Sequence, residues 1–332
     1  DTREVAAKAL CNCARVFKLR LKMLDEGTVR VLTGVLAPAG KKKDGLQPVS
    51  WETKYAALVT LHRMASARAC RADMISKGVM KVLRETAARE SDGRLLLVAA
   101  ATLQNLAQDP NSKARVVKEG ALQVAAAALQ KGPTLADKAA EARLYWILAS
   151  ALHHLSRDPA CVPAMVEAGC LPILVGLVAR GGGASRGTRA HCLHAFCHAL
   201  REPRAHEAML RSDAMKVLLE LIEGHEDADA DFTAVLSYAL YHISRIKSSH
   251  EQILELGIVR TLLRFLGPRG AEGPPGGGGG RVDWHVREEC VAALCLLCGP
   301  GEDDELGGAA DPSMDASSHP DPGGGGAVSA AA

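Results

Sequence analysis

The chain has 332 residues, 48% of them hydrophobic and only 3% aromatic, with a formal net charge of +2. That composition supplies a sizeable core made of Ala, Leu and Val, and it weighs against a dedicated nucleic-acid binder, which carries a strongly basic domain. The longest apolar run, near Leu95 to Leu103, is too short to span a bilayer, and no signal peptide opens the chain; the expected compartment is the cytoplasm, with the nucleus as alternative.

Taken in order, residues 3–15 have a helical apolar period and predict the last helix of a unit whose earlier helices are absent, as expected of a domain cut from a longer protein. Val16 to Ala67 form the first full unit, with a short helix closed by LDEG and an insertion, APAGKKKDGLQPV at 37–49, that reads as a solvated loop. Later units carry KGPTLAD at 131–137, GGGASRG at 181–187 and GPRGAEGPPGGGGG at 267–280. All of this extra length falls between the second helix of a unit and its third, so it decorates one edge of a stack. Asp109-Pro110, Asp158-Pro159 and Glu202-Pro203 predict helix starts, an acidic cap followed by proline in the first turn. The last copy, VREECVAALCLLC, is weak, with Leu296 where earlier copies have Asn or His. Beyond Cys298 the chain has no aromatic, no Lys or Arg, and seven acidic residues. Such a segment cannot offset its ordering entropy, which predicts a disordered acidic, Gly-rich tail at 299–332. Without those seven negative charges the remaining domain, 1–298, carries a formal +9.

Aligning on Gly27, Gly78, Gly120, Gly169 and Gly257, with Asp213 in the sixth place, exposes a repeat without gaps. Three residues before each stand Leu24, Ile75, Val117, Val166, Leu210 and Leu254; nine after stand Leu36, Ala87, Leu129, Val178, Ile222 and Leu266. Fifteen before each stand Asn12, Arg63, Asn105, His154, His198 and His242, near the end of a longer helix. The unit is therefore short helix, glycine, second helix, long third helix. One such unit cannot bury its own apolar face, so the units must stack.

This pattern resembles the armadillo repeat, over residues 3 to about 298. The resemblance implies an all-α fold, a right-handed alpha-alpha superhelix or armadillo-repeat solenoid. In that family the third helix ends in a Trp-Ala-Leu-Ser-Asn-like segment; Ala9-Leu10-Cys11-Asn12 and Thr102-Leu103-Gln104-Asn105 match its Asn part. The Trp place, four residues earlier, holds Lys8, Val59, Ala101, Ser150, His194 and Tyr238. The family's third helices line a concave groove whose Asn ladder bonds an extended peptide. Carried over, this implies a peptide groove at Asn12, Arg63, Asn105, His154, His198 and His242, with His194 and Tyr238 beside it. Stacking six layers at ~10 Å each gives a groove of about 60 Å, room for roughly 18 extended residues.

Nothing in the sequence points to catalysis, a cofactor, a metal or a small-molecule substrate. Gly183-Ala-Ser185-Arg-Gly187 fits G-x-S-x-G, but a helix precedes it where a nucleophile elbow needs a strand. His250-Glu251 lacks the second histidine of a zinc-binding helix. His191, His194 and His198 share one helix face, yet a structural metal site has four closed ligands, and the repeat itself accounts for His194 and His198. The ten cysteines read as reduced thiols; Cys13, Cys192 and Cys295, in apolar helical stretches, are expected to be buried, and the Cys295-x-x-Cys298 pair has no second half.

One further regularity bears on specificity. Three residues past the ladder stand Arg15, Arg157, Arg201 and Arg245, which predicts either an arginine row that prefers acidic segments, since Arg pairs with carboxylate bidentately, or cations that complement the helix dipole in the last turn. Ladder histidines at their ordinary value would add charge below about pH 6.5 and tighten binding. The functional expectation is thus a non-enzymatic scaffold binding extended, acidic protein segments, with no nucleic acid and no membrane span. An importin-like cargo adaptor, or a client-binding chaperone similar to the myosin-folding UCS proteins, is the alternative.

Overall fold

The computed structural model describes residues 2–37, 49–132, 135, 137–180, 186–200, 202–211, 214–215, 230–266 and 284–299. The repeat glycine sets the corner of each unit. Gly27, Gly78, Gly120, Gly169 and Gly257 have φ of 77°, 82°, 106°, 80° and 72°, the left-handed region that side chains rarely enter. At Gly27 and Gly78 a Cβ would meet nothing within 4 Å, so backbone conformation and not space selects glycine there. Each of these glycines donates its N–H to the carbonyl three residues back, at 3.0–3.1 Å, on Leu24, Ile75, Val117, Val166 and Leu254. That bond stops the short helix while the left-handed turn aims the chain into the next.

The units follow one after another. After the lone third helix α1 (Thr2–Cys13) come α2 (Leu19–Asp25), α3 (Thr28–Leu36) and α4 (Trp51–Ala65). The next units comprise α5 (Arg68–Ser76), α6 (Val79–Arg89) and α7 (Gly93–Ala107), then α8 (Lys113–Lys118), α9 (Ala121–Lys131) and α10 (Lys138–Ser156). A short 3-10 turn, Pro159–Cys161, leads into α11 (Val162–Glu167), α12 (Cys170–Arg180) and α13 (Arg186–Leu200). Then come α14 (Pro203–Arg211), α15 (Ala230–Ser244), α16 (His250–Glu255), α17 (Ile258–Leu266) and α18 (Trp284–Cys298). Every regular element among the described residues is helical.

Like packs on like. Third helices α1, α4, α7, α10, α13 and α15 each contact the next, as do second helices α3, α6, α9 and α12. The core runs unbroken between these layers. Leu58, Leu61, Leu83, Leu103, Leu148, Leu152 and Leu174 are fully buried in it, each worth roughly 1.5–3 kcal/mol of apolar transfer. Small residues such as Ala57, Ala65, Ala100 and Ala149, also fully buried, allow helices to approach closely. The unit extends to Leu297; beyond Gly299 the expected tail lies outside the described residues.

The structure corrects several local expectations. Cys192 is buried, but Cys13 and Cys295 are exposed, because α1 and α18 have a covered face on one side only. Leu254, at the apolar position before the last glycine, is 48% exposed. Asp158 does cap, accepting from Ala160 N at 3.1 Å. Asp109 does not: its carboxylate is buried with Oδ2 unpartnered, and α8 starts only at Lys113. The insertions at 37–49 and 181–187 lie largely, and that at 267–280 wholly, outside the described residues; of 131–137, Lys131 ends α9 and Asp137 caps α10 by accepting from Ala139 N, and Arg186 and Gly187 belong to α13. Ser185 of the G-x-S-x-G sequence is likewise outside them, and the element before it is helix α12. No single helix among the described residues is long and apolar enough to cross a membrane.

Candidate functional site

Each third helix keeps one stripe in contact with solvent, and the stripe has a period of four. Counting back from the ladder position, eight residues earlier stand Tyr55, Leu97, Trp146, Ala190 and Ala234; four earlier stand Lys8, Val59, Ala101, His194 and Tyr238. All of these are half-buried or exposed; only Ser150 of this set is buried. A side chain every four residues drifts slowly around a helix, so three successive ones line one face. Because third helix packs on third helix, the stripes of neighbouring layers lie side by side.

The ladder residues fall on this stripe. Asn12 is exposed, and Arg63, Asn105, His154, His198 and His242 are half-buried. They are not uniformly available, because two of them already tie adjacent layers together. Arg63 Nη1 donates to the Cys11 carbonyl oxygen at 2.5 Å and lies 3.0 Å from Cys11 Sγ. Asn105 Nδ2 lies 3.3 Å from His62 Nδ1. His242 packs its ring against Tyr238, centroids 4.2 Å apart.

The described arginines stand at the ends of their helices, where the helix-dipole reading puts them. Arg15 comes two residues after the end of α1, and Arg157 and Arg245 each come directly after their helix, α10 and α15. They therefore lie at the helix ends and not on the stripe, where a cation complements the C-terminal dipole by ~0.3–1 kcal/mol. All three are exposed, so they form a charged rim. Arg201 lies outside the described residues.

A position to which the repeat pattern assigns no role links the layers. In four layers the residue just before the ladder position meets the next third helix: the Cys11 carbonyl meets Arg63, His62 meets Asn105, Gln104 Nε2 lies 2.9 Å from Ser150 Oγ, and His153 Nδ1 lies 3.0 Å from His191 Nδ1. The recurrence of a hydrogen-bonding residue at this place is a signal that the repeat alignment contains.

Two aromatic features also go beyond the sequence expectation, although Tyr55 and Trp146 occupy the same repeat position. Trp51 and Tyr55 stack at 5.1 Å, and the Arg94 guanidinium stands 5.8 Å from the Trp51 ring centroid. With Lys8, Cys11 and Asn12 of α1, Trp51 and Tyr55 line a cavity of about 390 Å³ between two third helices. Trp146, 38% exposed, sets its edge against His191 at 5.8 Å.

Electrostatics around the histidines differ from the sequence expectation. Burial first, then the neighbouring imidazoles of His191, His194, His154 and His198, push His153 down to about 3. Burial, His191 and the cations Lys113, Arg157 and Arg71 hold His154 at about 4. His62 and His191 are lowered as well, in both cases chiefly by burial. Mild acidification therefore leaves His154 neutral, and the tightening of binding near pH 6.5 expected from it does not follow.

Known proteins place this geometry. No known family profile and no curated protein matches the sequence. Among solved structures, an engineered protein from the Northeast Structural Genomics Consortium superposes with a TM-score of 0.57 at 22% identity, over 89% of this chain; the chain spans 64% of that protein's length. Computationally designed armadillo repeat proteins for modular peptide recognition superpose at 0.53 with 17% identity, over 81% of this chain and 99% of theirs. A designed armadillo repeat protein in complex with the peptide (KR)4 superposes at 0.50 with 16% identity, over 81% and 99%. The fold of this chain is an armadillo-like repeat superhelix, all-α, as the repeat spacing led us to expect. These structural neighbours are engineered and designed repeat proteins.

Proposed function

We propose that the chain is a non-enzymatic scaffold that holds an extended, acidic protein segment along the solvent-facing stripe of its third helices. The observation that carries this reading is the alignment of six ladder residues on stacked third helices, five of them half-buried and Asn12 exposed. Asn12, His154 and His198 offer donors and acceptors to a peptide backbone. Preference for acid rests on the rim: exposed Arg15, Arg157 and Arg245, with Arg63 on the stripe, make carboxylates the complementary charge. The designed relative in complex with (KR)4 supports the binding mode, while the cationic rim here argues for a partner of opposite charge.

The test is fluorescence anisotropy with labelled acidic, basic and neutral peptides of about 18 residues at two salt concentrations. Acidic peptides should bind more tightly, and their affinity should fall with salt. Arg157→Glu with Arg245→Glu should reverse the preference while leaving helix content intact. Equal binding of basic peptides by the wild-type chain would overturn the acidic reading.

A further inference from the structure

His191, His194 and His198 on α13 form a row that repeat geometry alone explains, but the fold sets a second row against it. His153 and His154 of α10 face that row, and the rings of His154, His191, His194 and His198 all have centroids within 6.1 Å of the His153 ring. Two layers thus contribute five imidazoles to one patch, rimmed by Trp146. The cations Lys113, Arg157 and Arg71 act on His154 within it. Five imidazoles this close together offer a set of nitrogen donors.

We infer that this patch is a binding site for a divalent first-row cation of the zinc and nickel type, held between third helices α10 and α13 by His153, His191 and His194. Neutral imidazole is the usual nitrogen ligand of such cations. Two ligands on a tetrahedral zinc, each at ~2.0–2.1 Å, have their nitrogens about 3.3–3.4 Å apart. His153 Nδ1 and His191 Nδ1 are 3.0 Å apart, in position after a small opening. That contact shares one Nδ1 proton between the two rings; ligation through both Nδ1 atoms shifts it to Nε2 of its own ring, with no net proton release. As they stand, no three such groups among the described residues converge on one point, because the His194 ring lies stacked on His153 at 5.3 Å and 19°. His194 is exposed, and the χ2 torsion of histidine is broad, so turning its ring edge inward is a side-chain movement alone. Water completes the coordination.

The experiment uses the chain without an affinity tag, stripped with chelator, and titrated with zinc chloride, nickel chloride and magnesium chloride by calorimetry. Zinc and nickel should bind at one per chain and raise the Tm; magnesium should do neither. His153→Ala, His191→Ala and His194→Ala should each weaken zinc binding about tenfold or more, and His285→Ala should leave it unchanged. His194→Ala keeps the test valid if the half-buried variants fail to fold, because that side chain is exposed. No saturable binding, or isotherms unchanged in His191→Ala and His194→Ala, would mean an adventitious ion only and would overturn the site. No peptide is involved, so the result is separate from the proposed scaffold function.

Discussion

Asn105 Nδ2 approaches His62 Nδ1 at 3.3 Å, so a residue expected to clamp a peptide also holds its own layer to the preceding one. Burial lowers the proton affinity of His62, which leaves a neutral ring able to accept from the amide. A double-mutant cycle with Asn105→Ala and His62→Ala should give a coupling of about 1 kcal/mol in urea unfolding. Strictly additive losses would remove the tie. Because the amide has a second N–H and an oxygen remaining, Asn105→Ala should weaken peptide binding beyond what His62→Ala does.

Stability should fall in mild acid. His153 and His154 sit at about 3 and 4 when folded, below the ordinary 6.5, so the unfolded chain takes up protons first. Their contribution is complete above about pH 6.5 and is lost as pH falls toward 4. Urea midpoints measured with chelator present should drop over that window. His153→Gln and His154→Gln should flatten the slope, and an unchanged slope in both variants would contradict the assignment.

Two glycines should respond to alanine with opposite sign. Gly78 has φ 82°, and a Cβ there would meet nothing within 4 Å, so Gly78→Ala should cost ~1–2 kcal/mol through backbone conformation alone. Gly34 lies inside α3, exposed and also unobstructed, and Gly34→Ala should stabilise by roughly 0.5–1 kcal/mol. Denaturant midpoints of the two variants check both signs.

Thiol reactivity should follow burial. Desolvation pushes Cys170 and Cys192 up to about 12, and both are fully buried, whereas Cys13, Cys295 and Cys298 are exposed. Brief maleimide treatment of the native chain at neutral pH should label the exposed three and spare the other two. Peptide mapping by mass spectrometry reads the outcome, and early labelling of Cys192 would mean that α13 does not pack as described.

The repeat is legible in the sequence because its signals are local. The left-handed glycine, the carbonyl three residues before it, and the apolar period all act within one or two turns of chain, so Gly27 through Gly257 mark every described corner from spacing alone. The ladder is legible for the same reason, being a fixed count along one helix. What chain order does not reveal is the lateral offset between neighbouring third helices. That offset, set by how Leu103, Leu148 and the small alanines interlock in the core, decides that Gln104 meets Ser150 and that His153 meets His191. It also gathers five histidines from two helices into one patch and takes His153 and His154 partly out of water, which moves these two far from their ordinary protonation. Periodicity determines which face of a helix is buried; only the packing of one helix on another determines which side chains meet there.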